Sequence, residues 1–234
     1  SKQNFNKLFE DAEKPDSVCA TQRENRAQKI LEKKKGNISL QDMADIMRDL
    51  GEDGDNYEPD TAELKQNFIC MHAKPHPDSF WGATGAMITD SNEEGIVVWM
   101  TGTSANDLSV FKPLFFGVPL PKQLQYLPIG TYDSKSLWWK HETIHRKAIM
   151  NYKSLKPEIR GRFDEIEKIF FKQSSNLRSA PNKEKIEFIN YCWNESEKVT
   201  DLIISDINKM SFPIKKGPFN DMWDIFNKEA NFLL

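Results

Sequence analysis

Polar positions dominate the start of the chain. A weak apolar face (Val18, Ala27, Ile30, Leu31) predicts a charged helix over 17–35 that closes on LEKKK. Ser39 and Asp42 have capping-box spacing. Leu40, Met43, Met47 and Leu50 then line one side of a short helix, with Gly51 as its C-cap. The pattern changes after Asp53-Gly54-Asp55-Asn56, an exposed acidic loop without the spacing of a calcium-binding EF-hand. Apolar runs predict strands over 67–73, 83–89 and 95–101 and a further extended run over 109–118. Pro119, Pro121 and Pro128 make the next stretch irregular.

From Ser136 the pattern is helical. Helices are expected over 136–154, 157–173 and 182–210, with Pro157 and Pro181 near the starts. Ile186, Ile189, Trp193, Val199, Ile203 and Ile207 stripe the third, and Trp223 and Phe226 pack a final helix over 221–232. Strands followed by helices predict an α+β fold. Residues 1–135 carry the antiparallel sheet, and 136–234 form a helical region packed on it.

Charge narrows the function classes. A net charge of −3 gives no basic footprint for nucleic acid. The uncharged stretch 95–106 is too short to span a bilayer, so no membrane partner is expected. Three widely spaced cysteines (Cys19, Cys70, Cys192) make no disulfide framework and fit a reducing, cytoplasmic compartment.

Several residues carry candidate chemistry. Lys112 sits among Phe111, Pro113, Phe115 and Phe116, where a charge is costly unless paired or placed at a sheet edge. His141-Glu142-Thr143-Ile144-His145 has the H-E-x-x-H spacing of a zinc peptidase, with Glu165, Glu167 and Glu195 as third-ligand candidates. Cys70 reads as an inert core thiol; the alternative makes it a nucleophile with His72 as base. Ser1 has the chemistry of an N-terminal nucleophile, but the polar residues behind it do not make the buried strand such a residue needs.

Four stretches, in order, carry a family resemblance: NFICMHA (67–73), GATGAMITD (82–90), TGTS with SVFKP (101–113), and LWWKHETIHR (137–146). Together they resemble the dipeptidase A and secernin family of N-terminal nucleophile (Ntn) cysteine hydrolases, from about residue 38 to about 171. The resemblance implies a four-layer α/β/β/α sandwich and hydrolysis of an amide or peptide bond, as in a dipeptide, without a cofactor. It implies a nucleophilic cysteine at the mature N-terminus, served by an arginine and an aspartate of the first half. The matched stretches belong to the second half. The chain is therefore expected to be a C-terminal portion, partnered by the missing N-terminal half, with no catalytic residue of its own. Homo-oligomerisation is left open. In such an enzyme the loop after Trp99 would face substrate, with Thr101, Gly102, Thr103, Ser109 and Lys112 as binding residues. In the family the HETIH stretch is ordinary helix and not a metal site. Two readings of other classes stand beside this one: a zinc metallopeptidase on His141 and His145, and a non-catalytic interaction domain on the hydrolase scaffold.

Overall fold

The computed structural model describes residues 19–52, 54–61, 68–75, 82–212 and 215–233. Ser1, Val18, Asp53 and Asn67 lie outside them.

Helix α1 (Ala20–Lys33) buries none of its residues and is tied down by Arg26, whose guanidinium grips Asp49 from Nε and Nη2 at 2.6–3.2 Å. Helix α2 (Leu40–Met47) begins with the expected capping box. The Ser39 hydroxyl accepts from Asp42 N–H, and Asp42 accepts from Ser39 N–H. The helix ends at Arg48, before Gly51. Gly51, at φ +92°, turns the following loop and does not cap the helix.

The sheet has three antiparallel strands in the order β1 (Met87–Asn92), β2 (Gly95–Met100), β3 (Lys112–Phe115). Its register places Ile88, Trp99 and Pro113 on one face together with Val97 and Phe115, which are buried. The opposite face carries Met87, Ile96, Val98, Met100, Lys112 and Leu114. Met87 and Ile96 there are 58% and 43% exposed.

The expected strand over 67–73 does not form in its described part. Phe68, Cys70 and His72 alternate inward as a strand would place them, but the backbone is used elsewhere. Ile69 and Cys70 N–H both donate to Asp49 O, and Met71 O accepts from Ala83 N at 2.7 Å. The second strand begins four residues later than expected, because Ala83 and Ala86 bond to neighbouring loops first.

The helix expected over 136–154 is split. Helix α3 (Leu137–Ala148) stops, Asn151 breaks the helical backbone at ψ +57°, and helix α4 (Tyr152–Ser174) starts afresh. The break aims Tyr152 into the interior, where its hydroxyl bonds Asp107. Pro157 thus lies inside α4 and not at its start. Helix α5 (Asn182–Ile207) buries Phe188, Ile189, Cys192, Trp193, Ile203 and Ile207, and α6 (Pro218–Glu229) takes proline as its first residue. Helices α2 to α5 share one apolar core with the inner face of the sheet: Trp99 meets Phe171 edge-on at 4.7 Å and Phe115 meets Phe188 at 6.4 Å. The fold is α+β, helices on an antiparallel sheet. No helix among the described residues is long and apolar enough to cross a membrane.

Candidate functional site

The loop after β2 is held from every side. Thr101 N–H donates to Ala86 O at 3.0 Å and its Oγ1 accepts from Ala86 N–H at 2.9 Å. The Ser109 hydroxyl lies 2.8 Å from Ser104 O, 3.0 Å from Ala105 O and 2.9 Å from Thr103 Oγ1. Thr101, Thr103 and Ser109 are buried; Gly102, at φ +63°, is exposed between them.

Lys112 is fully buried. Its Nζ donates to Thr101 O and Val110 O, both at 2.8 Å, and lies 5.0 Å from the centre of the Trp193 ring. Burial lowers its ammonium to about 7; Glu167 opposes that shift and Arg48 adds to it. Lys112 therefore holds the two ends of the loop and presents no charge to solvent.

Beneath the loop runs a buried polar network. Asp107 Oδ1 lies 3.1 Å from both Cys70 Sγ and His72 Nε2, and Asp107 Oδ2 accepts from Tyr152 OH. Burial raises the Asp107 carboxyl, but His72, with the hydrogen bonds of Tyr152 and Cys70, outweighs it and holds the group far below the usual carboxylate range. His72 Nδ1 meets His145 Nε2 at 3.2 Å, and His145 Nδ1 meets Glu142 Oε2 at 3.1 Å. Glu142 also accepts from Ser104 Oγ and, at 2.8 Å, from Arg146 Nε. Desolvation pushes its carboxyl up, yet His145 and Arg146 bring it down to about 2. Arg146 donates on to Asn227 Oδ1 at 2.8 Å, its guanidinium 5.2–5.5 Å from the rings of Trp139, Trp223 and Phe232.

A second buried pair secures the other side of the loop. Arg48 and Glu167 form a two-pronged ion pair at 2.5 and 2.7 Å. Arg48 also donates to Asn106 O and Ser109 O, while Glu167 accepts from Phe111 N–H at 2.7 Å.

The composition Cys70, His72, Asp107 suggests a nucleophile with its base, but the order of contacts is wrong. The thiol donates to the carboxylate, which stands between it and the imidazole, so His72 is not placed to take its proton. Burial, with the Asp107 charge beside it, pushes the thiol well above its ordinary range. The H-E-x-x-H residues are likewise engaged separately. His141 Nε2 faces Thr200 Oγ1 at 3.2 Å and its ring stacks on Phe163, whereas His145 and Glu142 belong to the network. Burial drives the His141 ring well below its usual value. Of the third-ligand candidates, Glu167 is committed to Arg48, Glu195 pairs with Lys198, and Glu165 is exposed. Among the described residues, Cys70, His72 and Asp107 bring three metal-capable atoms within 4.8 Å of one another.

A cavity of about 370 Å³ lies at the Arg146 end of the network, lined by Ile129, Trp138, Trp139, Phe226 and Ala230. None of Thr101, Gly102, Thr103, Ser109 and Lys112 lines it.

Sequence reasoning did not find Asp107, Tyr152, Arg146 or the Arg48–Glu167 pair. Asp107 stands in a small-residue turn, and nothing local marks it as the acceptor of three distant donors. Compared with protein-family models, curated proteins and solved structures, the chain matches none.

Proposed function

We propose that this chain is the second half of an Ntn-type amide or peptide hydrolase resembling dipeptidase A and the secernins, whose nucleophilic cysteine lies outside these 234 residues. One observation carries the reading. The four stretches that bear the resemblance, scattered over 67–146, meet in a single hydrogen-bonded cluster. The first bonds the second through Ala83 N–H to Met71 O, and the second bonds the third through Ala86 and Thr101. The third reaches the first through Asp107 and His72, and the fourth through Ser104 and Glu142. The first and fourth join through His72 and His145. That shared buried network gives the loop after Trp99 a hydrogen-bonded backing.

In this reading the chain supplies a wall and a support, not the nucleophile. Gly102 is the exposed point of the Thr101 loop and offers its backbone N–H to a substrate carboxylate or oxyanion. Thr101, Thr103, Ser109 and Lys112 are positioning residues, since each is buried and bonded within the loop. Treatment of the intact polypeptide with a dipeptidyl chloromethyl ketone, followed by peptide mapping, tests the assignment. The label is expected on a cysteine outside residues 1–234. Label on Cys70, or stoichiometric inactivation with no cysteine labelled, would refute it.

A further inference from the structure

The network that backs the loop is one hydrogen short. Three contacts join it end to end: Glu142 Oε2 to His145 Nδ1, His145 Nε2 to His72 Nδ1, and His72 Nε2 to Asp107 Oδ1. Each is a contact between lone-pair atoms and requires one hydrogen. Two neutral imidazoles carry two, whichever tautomers they adopt, and ionised carboxylates carry none. Cys70 cannot close the gap, because its own hydrogen already points at Asp107 Oδ1. An added cation must sit among these atoms, as a proton or as a metal ion.

A second, independent observation lies beside the same gap. The Tyr57 hydroxyl is buried and has no hydrogen-bond partner among the described residues, although buried hydroxyls almost always have one. It stands in the field of Asp107 and Cys70, and its ring lies 5.6 Å from those of His72 and Tyr152. The acceptor-rich gap and the orphaned hydroxyl call for one more occupant.

We propose that Cys70, His72 and Asp107 form a buried binding site for a single zinc-class divalent cation. A thiolate, an imidazole nitrogen and a carboxylate oxygen are the donor set zinc prefers, and their atoms already lie within 4.8 Å of one another. The outer contacts are those of a metal site. His72 passes its other ring nitrogen to His145 and Glu142, and Asp107 is steadied by Tyr152. A water in the fourth position would give the Tyr57 hydroxyl its partner. The charges balance. The Cys70 thiolate and the Asp107 carboxylate together match the charge of one divalent cation, and the thiol proton leaves as the cation enters. All three ligands are buried, which makes the site a clamp between the 68–75 segment and the 106–108 turn and not a centre that meets substrate. The site goes beyond the hydrolase reading and does not depend on it.

Cobalt(II) titration of the tag-free, chelator-stripped chain tests it. One cobalt per chain should bind with a thiolate-to-cobalt charge-transfer band that zinc displaces, and calorimetry in buffers of different ionisation enthalpy should record proton release on metal binding. Cys70→Ser should abolish the band, and His141→Gln should leave it. If Cys70→Ser fails to fold, a Cys19→Ser/Cys192→Ala double variant, in which Cys70 is the sole thiol, must keep it. Absence of the band at one equivalent, its survival in Cys70→Ser, its loss in the double variant, or its loss in His141→Gln would each overturn the site.

Discussion

His72 and His145 are 73 positions apart in sequence, yet their ring nitrogens meet at 3.2 Å in the interior. That contact joins two otherwise separate halves of the polar network, Asp107 with Cys70 and Tyr152 on one side, Glu142 with Arg146 on the other.

His145→Asn therefore should destabilise the chain strongly. An asparagine cannot span both Glu142 and His72, so buried polar groups lose their partners at about 1–3 kcal/mol each. A loss of about 2–5 kcal/mol in urea unfolding is expected. His141→Gln, at a residue whose polar contact among the described residues is with Thr200, should cost less. Equal costs would deny the network its linking role.

Arg48→Met should be comparably damaging. It leaves buried Glu167 with the Phe111 N–H and the more distant Arg160 guanidinium at 3.9 Å, so the loss should fall toward the lower end of the about 3–5 kcal/mol that breaking a buried pair costs. The double variant Arg48→Met/Glu167→Leu should recover much of that loss, because replacing a whole buried pair by apolar groups is often neutral. Denaturation midpoints of the three proteins decide the point.

Lys112 should give stability an unusual alkaline slope. Its ammonium titrates near 7 when folded and near 10.5 when unfolded. Between those values the unfolded chain holds the extra proton, so stability rises with pH, by about 1.4 kcal/mol per unit at most. Below pH 7 both states are protonated and the buried charge weighs fully against folding. Lys112→Met should flatten the slope between pH 7 and 10 and cost little at pH 7, where loss of the Thr101 O and Val110 O bonds is offset by removal of a buried charge. Wild-type and variant curves with the same slope would show that Lys112 is not the titrating group.

Gly102→Ala places a side chain on a left-handed backbone, at a cost of about 1 kcal/mol. Space is not the obstacle, since the added carbon would meet Leu124 and Trp193 only at 3.8 and 4.0 Å. The strain falls on the one exposed residue of the loop. In the intact polypeptide, kcat/KM for a dipeptide should drop at least tenfold while the melting temperature shifts by a few degrees.

The local features of the fold were readable in the sequence. Ser39 and Asp42 announce the start of α2 through an interaction three residues long, and β2 shows as the apolar run over 95–101, whereas the strand expected over 83–89 forms over 87–92. The break at Asn151 was not readable, because it is imposed by Tyr152 turning inward to Asp107, 45 positions away. The candidate site divides the same way. The loop after Trp99 and the Cys70–His72 alternation stand out locally, but their link to Glu142 and Arg146 exists only in three dimensions. The H-E-x-x-H spacing misleads for the same reason. A helix sets the two histidines four residues apart, and tertiary packing gives each a different partner.

The hydrolase reading makes these 234 residues the frame of the enzyme and not the holder of its nucleophile. Dipeptide turnover by the purified chain alone measures this most directly. No hydrolysis above buffer is expected, with the intact polypeptide active under the same conditions. Turnover by the chain alone that disappears in Cys70→Ala or Ser1→Ala would contradict it.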